Sequence, residues 1–189
     1  MRAFLAINLD HKIREELTEI QKELKGKIKG IRRVAPRLLH ITIKFLGKIN
    51  EEQVALMKAP LRKLASRTSS FKISLAGLGA FPSPARPRVI WIGISDGRKA
   101  LVDLAKEIEK IYEDLQFKDA TARINNKKYR PHLTIGRKKR SEIFEAEPSV
   151  FTEPWECKTK LNIDSIYLMK SVLRPTGPLY TPLQKFLLK

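Results

Sequence analysis

Residues 39–47 read Leu39-His40-Ile41-Thr42-Ile43-Lys44-Phe45-Leu46-Gly47, and about 90 residues later the chain reads Arg130-Pro131-His132-Leu133-Thr134-Ile135-Gly136-Arg137. Both stretches carry His-aliphatic-Thr-Ile. Their period-two alternation predicts strands. Side chains at i and i+2 of a strand point the same way. His40, Thr42 and Lys44 are therefore expected on one face, with Ile41, Ile43 and Phe45 turned to a core. In the second copy His132, Thr134 and Gly136 share a face, and Leu133 and Ile135 turn away. Each strand would present an imidazole and a hydroxyl together.

The elements around each motif repeat in order. Residues 2–9 read as a strand. Asp10 can cap the helix after it, whose stripe is Ile13, Leu17, Ile20 and Leu24, and Gly30 ends it. After the first motif a helix begins at Asn50, with Gln53 at the capping-box position. Strands near 71–80 and 88–95 flank a proline-rich connector, 81–87. Asp96 is expected to cap a third helix. A polar Asn- and Lys-rich loop comes next, then the second motif strand, a short helix near 141–147 and strands near 157–170 and 179–187. Ile7-Asn8-Leu9-Asp10 and Ile92-Gly93-Ile94-Ser95-Asp96 each lead into a helix and then into a motif strand. One domain spanning 1–189 is expected, built from repeats of about 2–83 and 88–187. A pseudo-two-fold axis between the lobes would bring the two His/Thr pairs face to face across a cleft.

The chain has 189 residues and is 42% hydrophobic, enough for a packed core. With Lys+Arg 38 against Asp+Glu 20, its net charge is +18. Such an excess attracts polyanions, although a lysine-rich surface can be a thermostability feature instead. A nucleic-acid partner is the preferred reading. The lone Cys157 excludes an intrachain disulfide and a thiolate metal cluster, and fits a cytoplasmic location. No apolar run reaches the roughly 20 residues of a membrane span, so no membrane partner is expected.

The chain holds three histidines: His11, His40 and His132. His11, beside Asp10 at a helix start, reads as structural or solvated. A single strand His-x-Thr is most often packing. Two matched copies are not so easily explained. Opposed across a cleft, one neutral imidazole can take a proton from an attacking water while one imidazolium gives a proton to a leaving oxygen. Thr42 and Thr134 can donate to non-bridging phosphate oxygens as charge builds there. Zinc would need three or four ligands at close spacing, and no carboxylate or cysteine stands near either motif. No metal and no cofactor are expected.

The two quoted stretches resemble the paired signatures of the two-histidine phosphoesterase superfamily. Lys44-Phe45-Leu46-Gly47, the opening Arg2-Ala3-Phe4-Leu5-Ala6-Ile7 and the basic charge are similar to its RNA 2′,3′-cyclic phosphodiesterase branch, long called 2′-5′ RNA ligase. The resemblance covers essentially the whole chain. It implies a bilobed α+β fold with two antiparallel sheets facing a central cleft and helices outside. It implies hydrolysis of an RNA 2′,3′-cyclic phosphate end to a 2′-phosphomonoester. Carried over, His40 is the proton donor and His132 the acceptor. The sequence itself leaves those two roles interchangeable. Arg130, Lys44, Phe4 and Tyr129 are candidate substrate contacts: Arg130 for phosphate or a base, Lys44 for the RNA backbone, and Phe4 and Tyr129 for a base, although such aromatic residues are more often core. The partner is RNA with a cyclic-phosphate end, tRNA fragments among the candidates. The alternatives are 2′-5′ ligation by the reverse chemistry, cleavage of other nucleotide diesters, and a non-catalytic basic RNA-binding protein.

Overall fold

The structure, a computed structural model, describes residues 1–116, 129–139, 142–175 and 177–189. The expected Asn- and Lys-rich loop and residues Arg140 and Ser141 lie outside the described residues.

The chain opens with β1 (Arg2–Asn8) and α1 (His11–Lys27). The Asp10 carboxylate caps α1 by accepting from the Ile13 N–H at 2.9 Å. The helix stops at Lys27; Gly30, at φ +74°, instead turns the chain between β2 (Ile28–Lys29) and β3 (Ile31–Arg33). A 3-10 turn at Pro36–Leu38 leads into β4 (His40–Lys48). The capping box of Asn50 and Gln53 opens α2 (Glu51–Arg67). Next come β5 (Phe71–Ile73), β6 (Leu75–Phe81) and β7 (Val89–Ile94).

α3 (Arg98–Asp114) is capped by Gly97 in the left-handed region, not by Asp96. The Asp96 carboxylate is engaged elsewhere, accepting from Ser74 and Lys160. β8 (His132–Lys138) carries the second motif. The expected helix near 141–147 is absent from the described residues: β9 (Glu145–Ala146) pairs with β2, and a 3-10 turn comes after it at Pro148–Phe151. β10 (Leu161–Ile163) pairs with β5, and β11 (Ser165–Arg174) forms a long hairpin with β12 (Gly177–Leu187).

The fold is α+β with antiparallel sheets. Its main sheet has eight strands in the order β12-β11-β1-β4-β8-β7-β6, with β3 added against β8. The two antiparallel halves touch through a single pair, Ile41 with Leu133. Beyond it β3 replaces β4 beside β8, so the motif strands diverge. The order around this seam is matched: β4 is flanked by β1 and then β11, β8 by β7 and then β6. β6, from the first half of the chain, thus sits beside β7. β11, from the second half, sits beside β1.

One face of the sheet supplies Leu5, Ile7, Ile41 and Leu133 to a continuous core with the apolar stripes of all three helices. On the other face Phe4, Ala6 and Met169 form a small separate cluster with Tyr167 and Tyr180 against them. The histidines share this second face.

Candidate active site

The single β4–β8 pair fixes the site. Ile41 and Leu133 are fully buried on the helix side. Their neighbours point the other way, which brings His40 toward Thr134 and Thr42 toward His132. Each imidazole is oriented alike. His40 Nδ1 donates to the Leu38 carbonyl at 2.7 Å, and His132 Nδ1 to the Arg130 carbonyl at 2.6 Å. A carbonyl can only accept, so each Nδ1 carries a proton and each neutral ring keeps Nε2 as a base. Thr42 Oγ1 lies 3.0 Å from His40 Nε2.

Aromatic rings hold both imidazoles from the sides. His40 lies 5.0 Å from Phe4 and edge-on to Tyr180 at 5.2 Å. His132 lies edge-on to Phe81 at 4.9 Å and 6.1 Å from Trp91. The Trp91 indole lies over Gly79, where a Cβ would come within 2.2 Å of the ring. Burial is the main effect lowering both imidazole pKa values, each partly offset by its carbonyl partner. Positive charge lowers them further: Arg137, Arg14 and His132 act on His40, and Arg137 on His132.

Strict alternation fails just past the threonines. Ala6 pairs with Thr42 but Leu5 pairs with Lys44, so Ile43 is an extra residue in β4. Trp91 pairs with Thr134 but Ile90 pairs with Gly136, so Ile135 is the corresponding extra residue in β8. An extra residue of this kind, a β-bulge, re-aims the side chains beyond it.

Lys44 therefore leaves the His40 face. Its ammonium pairs with Glu109 of α3 at 2.6 Å and lies over the Tyr112 ring at 4.3 Å. Phe45 takes the histidine face instead, 69% exposed and 6.3 Å from Phe4. In β8, Gly136 turns to the helix side, where a Cβ would meet Ile31 at 2.7 Å. Arg137 takes the histidine face, and its charge also reaches Tyr180.

The other sequence candidates take different places. Phe4 is 4% exposed, a wall for His40 and not an open stacking surface. Tyr129 is half-buried and packs against the core. Its hydroxyl donates to the Thr42 carbonyl at 3.0 Å, tying the approach to β8 onto β4, and burial pushes its pKa up. Arg130 contributes its carbonyl to His132, and its side chain is exposed. His11 is solvated and pairs with Glu15 at 3.2 Å. Sequence reasoning missed Phe45, Arg137, Tyr180, Phe81 and Trp91. The first two needed the bulges and the others needed the sheet order. No group of three or more His, Cys, Asp or Glu able to hold a metal occurs among the described residues. Among those residues no helix is long and apolar enough to cross a membrane.

Two opposed imidazoles with fixed Nδ1 protons, flanking hydroxyls and an arginine make a site for acid–base chemistry on a phosphodiester. The chain belongs to the LigT-like phosphoesterase family, whose family model, LigT like Phosphoesterase, matches residues 7–91. An Archaeoglobus fulgidus protein named RNA 2′,3′-cyclic phosphodiesterase is 37% identical over 186 residues, spanning 98% of this chain and 99% of that one. One of the same name from Methanocaldococcus jannaschii is 36% identical, spanning 98% of this chain and all of its own. Among solved structures, a Thermus thermophilus protein superposes with a TM-score of 0.84 at 30% identity, covering 100% of this chain and 98% of that one. E. coli LigT solved with 3′-AMP superposes with a TM-score of 0.73 at 25% identity, covering 99% and 96%.

Proposed function

We propose that this protein is an RNA 2′,3′-cyclic phosphodiesterase, a phosphoric diester hydrolase that needs no metal. The observation that carries this reading is the matched pair His40 and His132, each clamped through Nδ1 on the same sheet face. The full-length similarity to relatives of that name supports it.

Water attacks the cyclic phosphorus while His132 Nε2 takes its proton. His40, protonated, gives a proton from Nε2 to the 3′ oxygen as the P–O3′ bond breaks. The product is a 2′-phosphomonoester and a free 3′-hydroxyl, and the catalyst ends with its protons exchanged between the two rings. Thr42 and Thr134 donate to the non-bridging oxygens as charge accumulates there. Arg137 adds positive charge from β8. Arg32 is its cross-strand partner and extends a basic strip for the preceding phosphates, with Arg130 nearby in the chain. Phe45 offers an aromatic face to the base. RNA with a cyclic-phosphate end is the partner, tRNA fragments among them. The matched strand order around the seam supports one domain, 1–189, descended from two repeats of about 2–83 and 88–187 that exchange their third strands.

Product analysis on a short RNA ending in 2′,3′-cyclic phosphate tests the reaction. A 2′-phosphate end is expected, with turnover unchanged by EDTA. A 3′-phosphate end, a 2′-5′ joined product as the main species, or loss of activity on chelation would each refute the scheme. The donor role is tested with a diester whose leaving group is p-nitrophenolate, which needs no protonation. His40→Ala should lose far less rate on that substrate than on the cyclic phosphate, whereas His132→Ala should be impaired on both.

A further inference from the structure

On the helix side of β8 lies a cavity of about 290 Å³ that neither histidine lines and that shares only Arg32 with the proposed RNA strip. Part of its wall is apolar. Leu24 and Ile28 come from the end of α1, Ile31 from β3, and Ile90 and Ile135 form the floor. One uncharged polar side chain lines it, Gln21, only 3% exposed. Its amide nitrogen donates to the Val34 carbonyl at 3.0 Å and to the Ile135 carbonyl at 2.7 Å. Both amide hydrogens are thereby used. The amide oxygen has no hydrogen-bond partner among the described residues. The oxygen is open to the cavity, where a ligand that brings a donor can reach it.

The cavity also carries positive charge. Lys25, Arg32, Arg33 and Lys139 line it. Lys139 pairs with Glu142, while Lys25 and Arg33 have no ion-pair partner among the described residues. The volume is at the small end of the roughly 300–1,000 Å³ of ligand pockets, which limits an occupant to about one flat ring system. An acyl chain would fill the apolar part but offers no donor to Gln21. An uncharged heterocycle would leave the cations unused.

We propose that this cavity is a second ligand site, separate from the histidine cleft, for a purine nucleoside monophosphate. The base lies among Leu24, Ile28 and Ile31 and gives an N–H to the Gln21 oxygen. The phosphate meets Lys25 and Arg33, whose guanidinium suits an anionic oxygen pair.

The test is a titration of 5′-AMP into the full chain carrying 13C-labelled isoleucine and leucine methyls, followed by NMR. Saturable shifts are expected at Leu24, Ile28 and Ile31. Ile31→Trp, which fills the cavity, should abolish them while cyclic-phosphate hydrolysis persists as a check of folding. The double substitution Lys25→Ala/Arg33→Ala falls on exposed side chains and should weaken 5′-AMP at these methyls about tenfold. It decides the matter if the tryptophan variant does not fold. Unchanged affinity in the double variant would overturn the proposal. So would shifts confined to Ile41 and Ile43 beneath the histidines, which would place the nucleotide in the cleft alone. The readout is methyl shifts, so failure here leaves the hydrolase reading standing, and failure of that reading leaves this site standing.

Discussion

β4 and β8 share His-aliphatic-Thr-Ile, the same carbonyl clamp on Nδ1 and the same extra isoleucine after the threonine. Five residues past the histidine they part: β4 presents Phe45 and β8 presents Arg137. Their surroundings differ too. His40 has Phe4 and Tyr180 beside it and two arginines and His132 acting on it, whereas His132 has Phe81 and Trp91 and one arginine. The backbone is matched at the proposed acid and base and unmatched at the proposed substrate contacts. A symmetric acid–base pair alone would accept a cyclic phosphate in two orientations. In the proposed reaction, an aromatic face at one bulge exit and a cation at the other would select one of them.

The largest expected effect would break what the strands share. His40→Ala or His132→Ala should each lower turnover on the cyclic phosphate by at least ~100-fold, and the double variant should be little worse than either, because the pair acts as a unit. A near-native rate in either single variant would remove that histidine from the mechanism.

The bulge exits come next. Arg137→Ala should lower kcat/KM by roughly 10- to 100-fold, as expected for loss of a charged contact to phosphate. Phe45→Ala should act mainly on KM, since stacking holds the ground state and transition state alike. Equal effects of the two substitutions on kcat would mean that the asymmetry does not orient the substrate. Arg137→Ala should also move the kcat/KM pH profile upward, because it removes positive charge that lowers both imidazoles.

The threonines should matter less. Thr42→Val and Thr134→Val keep the branched shape and lose the hydroxyl, and a tenfold fall in single-turnover rate is about the size expected for one neutral hydrogen bond. Serine at either position should retain most of the rate. Valine tolerated as well as serine would leave the histidines as the only supported catalytic residues.

Acid stability probes the imidazoles without substrate. Both have folded-state pKa values below the ordinary one, so the unfolded chain binds more protons as pH falls. Their contribution is therefore present above the usual imidazole pKa and is lost as pH drops through it, between about pH 7 and 5. Thermal melts of the His40→Ala/His132→Ala variant should show a shallower decline over that window than the native chain. The smallest effect on the reaction is expected at Lys44. Lys44→Ala should leave kcat/KM unchanged and lower Tm by about 2–4 °C, through the lost Glu109 pair and Tyr112 contact. A loss of activity comparable to that of Arg137→Ala would return Lys44 to the substrate.

The sequence by itself determined the strands and helices that carry the motifs, the two histidines, the threonines beside them and the class of chemistry. Those rest on short-range regularities: period two in a strand, 3.6 in a helix, a capping box. Only the tertiary structure decided which neighbours reach the site. Lys44 and Phe45 exchange faces, as do Gly136 and Arg137, because pairing with β1 and β7 inserts one residue in each motif strand. A bulge is set by the partner's register, which no local pattern in β4 or β8 records. Tyr180, about 140 residues from His40, arrives beside it because β11 and β12 cross to the far side of the sheet. The closed sheet also buries Phe4, a strand phenylalanine of a kind that is more often core than a stacking surface.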